Sequence, residues 1–276
     1  MAINNNPLRQ YFRRPSVYLK LPSGGQYYPP NVINQTETGE LPVYPMTAID
    51  DITVRTPDAL FNGVAIVELI KSCVPDILDP WAINSVDLDA ILIAIKSATG
   101  QGDIDLESTC PECKEEYTYG INLMVLLSQL KDGDYNKKLN INELSIKFKP
   151  LSYREVNKIA LKQFEIQKMF SAIDIIQDEE EKGRQSKIAF KSIALFTMDL
   201  VAQCIDYIAT PSSKVDEYEY ILDFLENCDK ASYEAIREYN TKLKEDAIIK
   251  PIPITCNHCN HKYSQPFTLN TSDFFG

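Results

Sequence analysis

Two stretches decide how this chain reads: Thr109-Cys110-Pro111-Glu112-Cys113-Lys114-Glu115-Glu116-Tyr117 and Thr255-Cys256-Asn257-His258-Cys259-Asn260-His261-Lys262-Tyr263. Both follow the pattern T-C-x-x-C-x-x-x-Y. At the same offset of 146 residues Leu106 aligns with Ile252, Thr118 with Ser264, Ile121 with Phe267 and Leu123 with Leu269. These are alternating positions, as in strands that flank a turn. Each copy is therefore expected to be a strand, a Cys-x-x-Cys knuckle and a returning strand.

A Cys-x-x-Cys bend brings two sulfurs to one side, and a tetrahedral zinc ion takes four ligands at about 2.3 Å, so two knuckles complete a site that one cannot. Cys110, Cys113, Cys256 and Cys259 are accordingly the candidate ligands of a structural Zn2+. Four protein ligands leave no position for water, so the expected role is to hold the fold and not to activate a nucleophile. Four thiolates around a divalent ion leave a charge of about −2, for which backbone N–H groups, Lys114 or Lys262 could compensate. A redox dithiol fits less well, because such a motif normally occurs once, at a helix start. His258 and His261, the only two histidines, lie in the second knuckle and could each replace a cysteine, although four thiolates already saturate the ion. Cys73, Cys204 and Cys228 stand singly in apolar patterns, as buried thiols do, and the odd total of seven gives no disulfide framework.

A compact ribbon separates its knuckles by about 15–20 residues; here 142 lie between Cys113 and Cys256. The gap implies an insertion. Ser152-Tyr153-Arg154-Glu155 has the form of a capping box. From there to about Ile249 the pattern predicts four amphipathic helices, broken near Glu181–Gly183, Pro211–Ser213 and Asp229. The acidic run Asp178–Glu181 reads as a solvated loop. Before the first knuckle, a helix is expected from Thr56-Pro57 to Pro75, and another from Ser85 to Thr99-Gly100 with Leu88, Ile91, Leu92 and Ile95 on one face. A short helix at Leu123–Leu130, an Asp132-Gly133 turn and a strand at Leu144–Phe148 follow that knuckle. The expected fold class is α+β with three parts: an extended basic, aromatic arm over 1–45, an α+β domain with a split zinc ribbon over 46–150 plus 250–276, and an inserted helical bundle over 151–249.

Charge sorts the partners. The chain carries a net −11, which argues against a general nucleic-acid binder, since affinity for phosphate depends on Lys and Arg displacing counterions. Residues 1–35 nevertheless hold Arg9, Arg13, Arg14 and Lys20 and no acid, together with five aromatic residues. Tyr11, Phe12, Arg13 and Arg14 are therefore candidate partner-binding residues, with the aromatics filling pockets and the guanidinium groups pairing with carboxylates; a plain N-terminal tail is the simpler alternative. The arm is expected to be dispensable for folding up to about residue 20. The longest apolar runs, Ala90–Ile95 and Met124–Leu127, fall well short of the roughly 20 residues that span a bilayer. No P-loop, dinucleotide fingerprint or Ser/His/Asp arrangement is present, so the chain does not read as an enzyme.

The runs Asn6-Pro7-Leu8-Arg9-Gln10-Tyr11-Phe12-Arg13-Arg14-Pro15, Leu21-Pro22-Ser23-Gly24-Gly25 with Tyr28-Pro29-Pro30, Leu41–Ala48, Thr56–Leu60 and Ser72-Cys73-Val74-Pro75 resemble the T-even-type phage baseplate hub subunit family. The resemblance covers roughly the first 130 residues. It implies a non-enzymatic structural or assembly role, with other phage baseplate and tail proteins as partners, in the host cytoplasm during assembly and in the virion tail afterwards. A nucleic-acid-binding or transcription-type zinc-ribbon protein is the alternative from a different class.

Overall fold

The computed structural model describes residues 6–34, 36–56, 63–100, 102–247, 249–267, 269 and 274; the helix start expected at Thr56-Pro57 runs outside these residues. In chain order the elements are β1 Val17–Lys20, β2 Glu40–Val43, α1 Ala48–Val54, α2 Val64–Cys73, α3 Ser85–Ala98, β3 Asp103–Thr109, β4 Glu116–Asn122, α4 Leu123–Gln129, β5 Lys138–Ile141, β6 Leu144–Phe148, α5 Tyr153–Asp174, α6 Glu179–Gln203, β7 Ile205–Ala209, β8 Lys214–Val215, α7 Tyr218–Asn227, α8 Lys230–Ala247, β9 Ile252–Thr255 and β10 Lys262–Gln265. Helices combine with small antiparallel sheets, which is the α+β class expected from the sequence. None of the described helices is long and apolar enough to cross a membrane. Packing divides the chain into one unit of residues 1–80, 86–130 and 249–276, and a second of residues 81–85 and 131–248.

The core of the first unit is α3. The sequence suggested one apolar face, but Ala90, Ile91, Leu92, Ile93, Ala94 and Ile95 are all fully buried, as befits a helix that is apolar all round. Asp87 on the same helix is also fully buried. A buried carboxylate needs donors, and it receives them from the Ser23 amide at 2.9 Å, the Ser23 hydroxyl and the Tyr28 hydroxyl at 2.6 Å. This explains the Leu-Pro-Ser-Gly-Gly run: Gly24 and Gly25 take positive φ of 63° and 77° to turn the chain at Ser23. β1 pairs antiparallel with β2, Leu19 facing Leu41, and both are buried. Residues 16–34 and 36–45 are thus built into this unit and are not a detached arm. The expectation that residues 1–20 are dispensable for folding is corrected accordingly, since removing them deletes β1.

The second unit holds a four-stranded sheet in the order β5-β6-β7-β8 beside four helices. β6 pairs with β7, placing Ile146 opposite Ile208. The strands at 138–148 therefore belong with the insertion, and the packing boundary falls near residue 130 instead of the expected 150. Ser152 and Glu155 form the expected capping box: the serine hydroxyl accepts from the Glu155 amide at 3.3 Å, while the glutamate accepts from the Ser152 amide at 2.7 Å. The first helical break lies at 175–178 and not at Glu181–Gly183. Asp178 is the N-cap of α6, accepting from the amides of Glu180 and Glu181, and Glu179–Glu181 fill its first turn. Acids are favourable at a helix N-terminus, so the run read as a loop starts a helix instead. Gly133 permits a close approach, since a Cβ there would lie 2.8 Å from the Leu243 carbonyl oxygen.

Candidate metal centre

Each knuckle is a tight turn between two strands, and the two copies agree in detail. In the first, β3 and β4 pair Thr109 with Glu116 and Ser108 with Tyr117. In the second, β9 and β10 pair Thr255 with Lys262 and Ile254 with Tyr263, the same register. The Cys110 amide donates to Glu115 O and the Cys256 amide to His261 O, both at 2.9 Å. The Lys114 amide donates to Cys110 O and the Asn260 amide to Cys256 O, both at 3.0 Å. Lys114 and Asn260 close the turns with φ of 64° and 57°, a left-handed position that asparagine tolerates better than lysine. The first cysteine of each knuckle is fully buried, whereas Cys113 is half-buried and Cys259 exposed.

The four sulfurs all lie within 4.8 Å of one another. Cys110 Sγ is 3.7 Å from Cys259 Sγ, and Cys113 Sγ is 3.6 Å from Cys256 Sγ. A disulfide requires about 2.05 Å, so the four are free thiols crowded together. A tetrahedron with metal–sulfur bonds of about 2.3 Å has sulfur–sulfur edges of about 3.8 Å. The donor set therefore fits a divalent ion of zinc-like size in both identity and spacing.

Electrostatics explains why such a cluster wants a cation. The amide N–H of Cys259 is the largest of several influences that lower the Cys256 thiol to about 6; the His258 amide, 3.4 Å from the same sulfur, adds to it. The Glu115 amide favours the Cys113 thiolate, but burial and the three neighbouring sulfurs outweigh it and push that thiol up to about 12. One thiolate is thus welcomed by backbone dipoles while the next is resisted by its neighbours. Of the compensating groups that the sequence offered, backbone amides are the ones placed at the Cys256 and Cys113 sulfurs, while Lys114 serves the turn.

A contact that the sequence reading missed joins the hairpins. The Tyr263 hydroxyl lies 2.9 Å from Ser108 Oγ, which donates to Gln265 Oε1 at 3.0 Å. The repeated tyrosine of the motif was visible; that it reaches the opposite hairpin was not, because the serine it meets has Ile254 as its counterpart in the other copy.

The candidate arm residues divide. Tyr11 and Phe12 are 77% and 57% exposed, and Arg14 is exposed as well. Arg13 turns inward. Its Nη1 meets Pro45 O at 2.5 Å and Asp50 Oδ2 at 3.2 Å, and its Nη2 donates to Ser72 O at 2.9 Å and to Ser72 Oγ at 2.7 Å. Cys73 beside it is fully buried, and burial, with Asp50 adding, pushes its thiol up to about 11. Arg13 therefore anchors the segment inside its own unit and is withdrawn from the partner-binding set. Arg13→Ala should destabilise the protein by about 2 kcal/mol, because Asp50 is left without its cation. Tyr11→Ala and Phe12→Ala should cost under about 0.5 kcal/mol, as exposed substitutions do. Urea unfolding of the three variants measures the contrast.

The sequence model of a family described as T4 bacteriophage base plate protein matches residues 46–276, which include both knuckles and the whole insertion. No curated protein matches the chain, nor does any solved structure.

Proposed function

Because the chain belongs to the T4 bacteriophage base plate protein family, we propose that it is a structural or assembly component of the baseplate hub of a contractile phage tail, held by a structural zinc ion on Cys110, Cys113, Cys256 and Cys259, and that it is not an enzyme. Membership in the family implies interaction with other phage baseplate proteins, and the virion tail is where this role places the chain. The observation that carries the zinc assignment is the near-tetrahedral spacing of four sulfurs contributed by two matching hairpins. Bound there, zinc supplies a cross-link between segments far apart in sequence and contributes its binding free energy to folding. With four protein ligands the ion has no open position for a substrate or water, which supports the non-enzymatic reading.

The surroundings favour this over a nucleic-acid-binding ribbon. Asp103, Asp105, Glu107 and Glu116 are exposed along the first hairpin, with Glu112 and Glu115 exposed on its knuckle. Such a surface repels phosphate at close range.

The hub role is tested by complementation. A phage lacking this chain should accumulate heads without complete baseplates, and supplying the chain in trans should restore tails visible by electron microscopy. Complete, contractile tails formed without it would sink the assignment. Within the site, His258→Ala and His261→Ala should each keep one equivalent of zinc per chain, because the imidazoles are not needed when four thiolates ligate; elemental analysis showing loss of metal in either variant would make that histidine a ligand.

A further inference from the structure

Two exposed faces carry the same arrangement with opposite charge. The first is the 3-10 turn over Pro7–Tyr11 with the residues that follow it. Leu8, Tyr11 and Phe12 are exposed there, and Arg9 and Arg14, exposed and in no ion pair, flank the two aromatics. Arg13 fixes the turn against Asp50 of α1, a helix that exposes Ile49 and Ile52 as well. The chain has no acid before Glu37, and Asp50 and Asp51 are already held by Arg13 and Arg55.

The second face is the outer side of α7. Ile221 and Leu225 are its buried residues, which leaves Glu219, Tyr220 and Asp223, neighbours within four residues, on the outer side. All three are exposed, Tyr220 by 65%. From Val215 to Asp229 there are six acids and no base. Some of these acids are engaged: Lys214 holds Asp216 at 3.9 Å, Asp229 accepts from Ser232 at the start of α8, and Glu226 borders a groove that Lys158 and Lys162 also line. Glu219 and Asp223 join no ion pair; the Asp223 carboxylate accepts from the neutral Asn227 at 3.1 Å.

We infer that these faces are the two halves of one interface between copies of the chain: the outer side of α7 in one copy docks on the Leu8–Arg14 face of the next. Tyr220 packs against Tyr11 and Phe12, while Arg9 and Arg14 pair with Glu219 and Asp223, guanidinium to carboxylate. Because Arg13 already fixes the receiving face, little ordering is lost on docking. An extended phosphate or lipid surface is a poorer partner, since a chain of net charge −11 is repelled by it as a whole, whereas α7 brings its acids to the two arginines alone. Each copy gives one half and receives the other, so the contact is heterologous and joins copies head to tail. The interface rests on neither the zinc site nor the baseplate role.

Sedimentation of the full chain tests it. In low salt the wild-type chain should form species of at least twice its 31.3 kDa mass and return toward monomer as salt is raised. Arg9→Glu with Arg14→Glu should stay monomeric, and so should Glu219→Lys with Asp223→Lys; all four positions are exposed, so the helical circular dichroism should not change. Mixing the two double variants should give complexes that contain both chains, and one chain carrying all four substitutions should associate with itself, since every pair is then reversed. Lys187→Glu with Lys191→Glu, an equal change of charge at exposed positions of α6, should associate like wild type. A wild-type chain that stays monomeric at its highest soluble concentration overturns the proposal and leaves the basic face to another protein. A mixture that stays monomeric overturns it as well, as does a Lys187 and Lys191 variant that loses association as fully as the arginine variant.

Discussion

Serine in place of Cys110, or in place of Cys256, is expected to abolish stoichiometric zinc binding and to cost several kcal/mol of stability. The scale follows from metal-coupled folding, where a structural zinc contributes roughly 10–16 kcal/mol in small zinc-binding peptides; a larger unit with its own core loses only part of its stability with the ion. Both cysteines are fully buried and occupy the same position in matching knuckles. The two losses should therefore be nearly equal, although the residues come from opposite sides of the insertion. Chelator should lower the wild-type melting temperature to that of the variants and leave the variants unaffected. Cys228→Ser, outside the cluster and half-buried, serves as the control and should behave like wild type. If the two knuckle variants melt where wild type does, the site is not structural.

Phe148→Ala is expected to cost about 3–5 kcal/mol, the range for truncating a buried phenylalanine where the cavity cannot collapse. Phe148 is 1% exposed, sits on β6 opposite Ile205 of β7, and its ring lies 5.3 Å from that of Tyr239 on α8. The sheet fixes one side and the helix the other, so little can move in to fill the space. Denaturant unfolding gives the loss, while zinc content should stay at one equivalent, because all four ligands lie outside residues 131–248. A cost below about 1 kcal/mol would mean that the sheet and α8 are less closely joined than the geometry indicates.

The paired cysteine hairpins were legible in the sequence because three independent signals coincide there: cysteine spacing, strand alternation and an internal repeat carrying both. The capping box at Ser152 was legible for a similar reason, being a local device complete within four residues. β7 and β8 were not. Five-residue and two-residue strands between long helices leave too few positions for alternation to stand out, and the pairing of β7 with β6 is a tertiary fact. Missing them also misplaced the domain boundary. Arg13 was misread because a positive charge in a basic N-terminal segment looks solvated; its partner Asp50 lies 37 residues away and is itself masked by its role in capping α1 through Thr47. Asp87 gave a warning that went unused: an acid between Val86 and Leu88 in an apolar helix needs donors, and Ser23 and Tyr28 of the Leu-Pro-Ser-Gly-Gly run supply them.

What fills the space between the four sulfurs decides whether the two hairpins form a structural metal site. Protein purified without chelator should carry one zinc per chain, and X-ray absorption at the zinc edge should give a shell of four sulfurs at about 2.3 Å. Metal-free protein with the same melting temperature, or a shell in which nitrogen replaces sulfur, would contradict it.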